Sequence, residues 1–464
     1  MKLKTTLLLL AVFAGLLAVV LYFDSRGKKT AVDKEATNTL IRLASEDVRK
    51  ASLVRGPETL TFEKDEAGTW RLTSPLQAAA DEYEVKGLVD ALASLRIERV
   101  VEKEAKDMAA YEIPRMEVSL WVKDKDAPVK LLVGMENPLD KTLFAKREDD
   151  PRVVLLASTL KATLDKTVYD FREKSIFKFT AADVQAVKVR AKEVSWQADR
   201  GEPGWLLKSP VAALASKSKV DSLLDSLSGI RAKDFAAEEK AAAALSRFGL
   251  DKPDYEVALS LPTAGQEIVF TFAKKGETPY VTSSLSTKIV SFEGTLLADL
   301  DRTVDDLREK KVSDLSSWDA RRVSVKRDGA AVVAAKEKVG EEDKWLLDPA
   351  TKEEADATKV EAFIRSIEGL EAAAFVDSPG PLAGYGLDPG VEVRVLTKDY
   401  QGKEKETVLF VGKEDAEKKQ AFVKNALFDY LFRVDSAFLQ DLPKDRKDWA
   451  AAIPKTEAEK TDKK

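Results

Sequence analysis

Three runs of adjacent acids are the first residues in this chain that could do chemistry: Asp149-Asp150, Asp305-Asp306 and Glu341-Glu342-Asp343. Two carboxylates facing one cleft suffice for glycoside hydrolysis, and a larger cluster can hold a calcium or magnesium ion. Here they would have to work alone. The 464-residue sequence contains no histidine and no cysteine. That removes the commonest general base, thiolate nucleophiles, the usual zinc ligands and disulfides. Each acidic run falls at a turn or on a charged helix, and none has the spacing of a calcium loop. We therefore read them as solvated charge and expect no catalytic or metal-binding residue. Gly134-Met135-Glu136 and Gly412-Lys413-Glu414-Asp415 superficially suggest phosphate contact. A phosphate loop needs several glycines between a strand and a helix, whereas these are expected between strands. The net charge is only −5 and there is no basic-aromatic stripe, so neither a cofactor nor a nucleic-acid partner is expected.

The elements that would position any such residue come in threes. Trp70, Trp205 and Trp345 are each followed by a leucine two places on (Leu72, Leu207, Leu347) and then by Pro75, Pro210 and Pro349. Fifteen residues after each tryptophan an apolar stripe begins: Val85, Leu88, Val89, Leu92, Leu95; Val220, Leu223, Leu224, Leu227, Ile230; Val360, Phe363, Ile364, Ile367, Leu370. The offsets are identical in the three copies and mark one buried helix face. Asp47, Asp183 and Asp319, spaced by 136 residues, open each copy ahead of a strand hairpin that ends on the tryptophan strand.

After the helix, an alanine- and charge-rich segment reads as a weaker helix leading to an aromatic marker, Tyr111, Phe248 or Tyr385. Gly249 and Gly386 follow the second and third markers and suit a positive-φ turn; the first copy has Glu112, which implies different local geometry. About four antiparallel strands resume at the pairs Glu117-Val118, Glu256-Val257 and Glu392-Val393, whose glutamates fall on the outward face. A short closing helix carries Leu160/Leu164, Leu296/Leu300 or Phe438/Leu442. The first two copies end in Asp170-Phe171-Arg172-Glu173-Lys174 and Asp306-Leu307-Arg308-Glu309-Lys310, which pair by charge along the helix or, the preferred reading, meet the next repeat.

Repetition makes a shared residue a fold determinant before it is a site, so Trp70, Trp205, Trp345, Tyr111, Phe248 and Tyr385 are taken as structural repeat markers in packing roles. The predicted fold class is α+β: one N-terminal transmembrane helix (1–24), a linker (25–38), and three tandem α+β repeats (39–174, 175–310, 311–450), each an antiparallel sheet with packed helices. The array is expected to be elongated, with a disordered tail at 451–464. Thr5 to Phe23 is an apolar run of about nineteen residues behind Lys2 and Lys4, long enough for a bilayer core and longer than a cleaved signal's apolar region. It is read as an uncleaved anchor with its N-terminus inside. The protein is thereby placed in the inner (cytoplasmic) membrane as a single-pass chain with a periplasmic or extracytoplasmic body.

The single apolar run, the W-x-L-x-x-P core (one residue shorter in the third copy), the V-x-x-L-L helix and the aromatic-Gly-Leu turn (Phe248-Gly249-Leu250, Tyr385-Gly386-Leu387) together resemble a bacterial family, domain of unknown function 4340. The resemblance covers the chain after about residue 38. It implies an accessory subunit on the outer side of an ABC-type transporter, with an ABC-2-type permease and the extracytoplasmic protein of gliding-type transporters as partners. The leading expectation is thus a non-enzymatic, membrane-anchored scaffold. The alternative is a binding module taking envelope glycan, lipid or peptide in a cleft between repeats; a carboxylate-only hydrolase is the third class.

Overall fold

The structure, a computed structural model, describes residues 38–451 except 203, 263, 264, 266 and 349. The apolar anchor, the linker up to residue 37, Pro349 and the tail from residue 452 lie outside the described residues. Among the described residues no helix is long and apolar enough to cross a membrane.

In the first repeat the chain runs β1 (Val48–Arg55), β2 (Glu58–Lys64), β3 (Trp70–Ser74), β4 (Ala78–Ala79), α1 (Glu82–Ala93), β5 (Arg99–Glu102), β6 (Met116–Val122), β7 (Val129–Glu136), β8 (Leu143–Arg147), β9 (Val153–Leu156), α2 (Thr159–Leu164) and α3 (Val168–Phe171). The nine strands form one antiparallel sheet in the order β4-β3-β2-β1-β6-β7-β8-β9-β5. The second repeat (β10, Ala186–Arg190, to β18, Ile289–Ser291) and the third (β19, Ala320–Arg327, to β27, Leu431–Asp435) reproduce that order strand for strand. The same strand order three times over is a true tandem repeat.

Each repeat is mostly β, which corrects the expected balance of helix and strand. The stretch that follows the core helix is a strand in every copy: β5, then the alanine-bearing β14 (Asp234–Ala237) and β23 (Ala372–Val376), each pairing with the last strand of its sheet. The weaker helix shrinks to one short helix in the second repeat, Ala242–Arg247, and to single 3-10 turns in the other two. Alanine favours a helix locally, but cross-strand pairing decides the outcome.

The core helix forms where the stripe predicts it. Asp81 caps α1 by accepting from the N–H groups of Tyr83 and Glu84, Asp356 caps the third copy (Ala357–Glu368) in the same way, and the stripe residues are buried in all three. Burying each such side chain stabilises the fold by about 1.5–3 kcal/mol. The far half of the sheet is covered on both faces. In β9, Val154 and Leu156 join the main core while Val153 and Leu155 pack under the aromatic turn, so all four residues of the strand are buried.

The chain divides into two compact units, one ending at Lys174 and one starting at Ser175. The second holds two repeats on a single continuous apolar core that runs from Val184 to Trp449.

Candidate functional site

The three tryptophans are 4%, 0% and 3% exposed. Directly across the strand pair from each stands a cation, Lys64, Arg200 or Lys336, lying 5.1, 4.3 and 5.5 Å from the ring centroid. The indole N–H of Trp205 donates to Asp221 at 2.9 Å and that of Trp345 to Glu361 at 3.3 Å, so the ring ties its strand to the core helix behind it. None of these three indole faces is open to a ligand.

The aromatic markers pair in equivalent fashion: Tyr111 with Phe144 at 4.7 Å, Phe248 with Tyr280 at 4.8 Å, Tyr385 with Phe422 at 5.0 Å. Gly249 and Gly386 have φ of 79° and 70°. Glu112 sits at φ 53° in the same left-handed region, which corrects the expected difference: the residue type departs while the backbone does not. Gly134 and Gly412 also stand corrected, because they lie inside β7 and β25 (Glu404–Asp415) rather than between strands. A Cβ on Gly134 would fall 2.3 Å from the Tyr111 carbonyl oxygen, and one on Gly412 would fall 2.3 Å from that of Tyr385. These glycines let the aromatic turn lie flat on the strand. An alanine in a strand ordinarily stabilises relative to glycine; Gly412→Ala should instead destabilise by about 1–3 kcal/mol. Urea unfolding of the purified chain would read that sign.

The acidic runs are used locally. Asp149 pairs with Arg147, and Asp306 caps its own helix through Thr303. Glu341, Glu342 and Asp343 are exposed. Asp150 is buried and held by the Arg152 guanidinium through both carboxylate oxygens. That hydrogen-bonded guanidinium keeps the Asp150 carboxyl below the usual carboxylate range, against the opposing effect of burial. A depressed folded pKa contributes stability above the unfolded value of about 3.9, and the contribution is lost as pH falls through the folded pKa. Asp150→Asn should therefore cost about 1–3 kcal/mol at neutral pH and make the acid limb of the first unit's stability profile shallower below about pH 4. Denaturant midpoints between pH 2 and 7 would show both effects.

The chain's most unusual polar arrangement lies where the second repeat meets the third. The closing turns are superimposable in their main-chain bonds: the N–H of Asp81 donates to Phe171 at 2.8 Å, that of Ser216 to Leu307 at 2.7 Å, and that of Asp356 to Trp449 at 2.7 Å. The next residue is Arg172, Arg308 or Ala450. Arg308 is fully buried. Its guanidinium lies 3.7 Å from the Phe375 ring centroid and 4.5 Å from that of Tyr430, and it pairs with Asp377, all three in the third repeat. Burial raises the Tyr430 phenol pKa, and the facing guanidinium opposes the rise. A main-chain bond crosses the junction as well, the Ala372 N–H donating to the Lys310 carbonyl at 2.7 Å. The Asp306 to Lys310 ending is thus an inter-repeat contact. Arg308 itself was hidden in the sequence, which shows a charged ending but not which side chain the next repeat encloses. Beside this socket runs a groove of about 620 Å³, with Leu206, Pro210 and Val211 on one wall and Leu427 and Phe428 on the other.

A family described as Domain of unknown function (DUF4340) matches residues 70–236, 205–381 and 345–454. Every match begins at a repeat tryptophan, and the first two run past the next one. No curated protein and no solved structure matches the chain. The matches span most of the sequence, and the chain belongs to this family.

Proposed function

We propose that this member of the DUF4340 family is a non-enzymatic scaffold, tethered to the membrane by its N-terminal apolar run, with an extracytoplasmic body that serves an ABC-2-type transporter as an accessory subunit. One observation carries the scaffold reading: the markers common to all three repeats are engaged in packing. Trp205 closes on Arg200 and Asp221, Tyr385 on Phe422, and Gly412 makes room for the Tyr385 turn. What recurs is the means of building a sheet, which suits a chain that works by presenting surface. Affinity purification of the tagged full-length protein from mild-detergent extracts should co-isolate a permease or its ATPase well above an untagged control. Recovery of neither would count against the transporter role.

The groove beside Arg308 favours a second reading, a binding module for envelope glycan, lipid or peptide held between repeats. Crystals soaked with envelope fragments would give density along Leu206 and Phe428 on this reading, and an empty groove would weigh against it.

A further inference from the structure

Repetition accounts for the shared markers but not for the loop that walls the groove beside Arg308. Two places before the register partner of each edge strand (Val154, Val290, Phe432) stand Arg152, Lys288 and Tyr430. The two residues ahead of these are Asp150-Pro151, Ser286-Thr287 and Phe428-Asp429. The first two repeats thus place a cation where the third places a ring, and only the third has an aromatic in the pair ahead of it. Tyr430 faces the enclosed Arg308 guanidinium. Phe428 stacks on Tyr430 at 5.1 Å, with 13° between the rings, and forms part of the groove wall. Among the described residues no cation lies over the Phe428 ring and no group pairs with the Asp429 carboxylate. The fold common to the three repeats does not need either side chain.

The chemistry of the groove selects its occupant. Leu206, Pro210 and Val211 make an aliphatic wall, and Leu427 opposite is 74% exposed. Among the described residues that line it, three carry carboxylates, Glu202, Asp377 and Asp429, against one cation, Lys208. Asp377 accepts from Arg308 through Oδ1, leaves Oδ2 without a hydrogen bond, and keeps 40% of its side chain exposed. An anionic lipid headgroup or an acidic glycan meets like charge there, and a neutral glycan finds a wall that cannot hydrogen-bond it. A cation on an aliphatic stem meets its complement. The adjoining socket already makes that recognition within the chain, with the Arg308 guanidinium against Phe375 and Tyr430 and paired with Asp377. Resting on the reading of this groove as a binding site, we propose that it takes an extended peptide of a partner protein in which an arginine or lysine is flanked by aliphatic residues. The cation sits over Phe428, its charge met by Asp429 and by Asp377 Oδ2, and the aliphatic neighbours lie along Leu206, Val211 and Leu427. A volume of about 620 Å³ is that of a site for a few such side chains.

The probe is a phage-displayed library of random heptapeptides, panned on the full-length protein in detergent. Counter-selection against Ala212→Trp, which puts an indole into the groove from an exposed position on its wall, retains the groove-dependent binders. These should carry an arginine or lysine beside aliphatic residues. Synthetic copies, followed by fluorescence anisotropy, should bind about tenfold more weakly once that cation is replaced by glutamine. Asp429→Asn should weaken the unaltered peptide by about threefold. Asp429 and Ala212 are both exposed, and unaltered thermal melting of each variant establishes that the groove is folded. Groove-dependent peptides that bind equally well with glutamine and with Asp429→Asn would overturn the proposal while leaving the groove a binding site. No groove-dependent peptide, with glycan or lipid density in the soaked crystals, would overturn it in the same way; no peptide and an empty groove would remove both readings.

Discussion

Arg308→Ala should cost the second unit about 3–5 kcal/mol, the range for emptying the site of a large, fully enclosed side chain. The side chain is fully enclosed, its cation faces two aromatic rings, and Asp377 is left without its partner. Asp377→Asn leaves the enclosed guanidinium with a neutral partner that can still accept its hydrogen bond and with Asp305, 3.5 Å away, as its remaining carboxylate, so a smaller effect of about 1–3 kcal/mol is expected. Arg308→Met preserves much of the stem packing and should recover part of the loss. Beyond the midpoint, the shape of the transition should change. Two repeats on one core unfold together, and loosening their junction should split a single transition into two. Urea unfolding followed by tryptophan fluorescence and far-UV circular dichroism reports both quantities; a loss below about 1 kcal/mol with one unchanged transition would show that the socket does not couple the repeats.

Trp205→Ala is the second large effect, about 3–5 kcal/mol, because a fully buried aromatic leaves a cavity that a nine-stranded sheet cannot close. Two further bonds are lost with it, the indole N–H to Asp221 and the Arg200 contact. Trp205→Phe retains most of the volume and forfeits the hydrogen bond, so roughly half the loss is expected. Tyr400, 93% exposed, is the matched control, and Tyr400→Ala should fall within about 0.5 kcal/mol of the parent. Equal effects at the two positions would remove the tryptophan from its central place in the repeat.

These residues also show what the sequence reveals and what it conceals. The tryptophan strand and core helix are legible because their offset never changes, so the buried face repeats in phase from Val85 to Leu370. The cation over each ring is concealed because the hairpin loop varies: Lys64, Arg200 and Lys336 precede their tryptophans by six, five and nine residues yet lie opposite them in register. The first strand, Val48–Arg55, is masked by a bulge between Val48 and Lys50 that breaks its alternation, and Ala320–Arg327 has the same fault between Ala320 and Arg322. The edge strands Asp234–Ala237 and Ala372–Val376 carry alanines and a bulge each, so local preference points to helix while the pairing partner lies far along the chain. Arg308 depends on Phe375 and Tyr430, contributed by another repeat, and no local pattern announces such a neighbour.

Amide hydrogen exchange on the intact chain tests the threefold architecture and its shared core most directly. Slow exchange is expected at equivalent positions in every repeat, on the first strand, the tryptophan strand and the core helix, with the strands of the second and third repeats opening at one common free energy. Protection confined to one or two of the repeats, or separate opening energies on either side of Arg308, would contradict it.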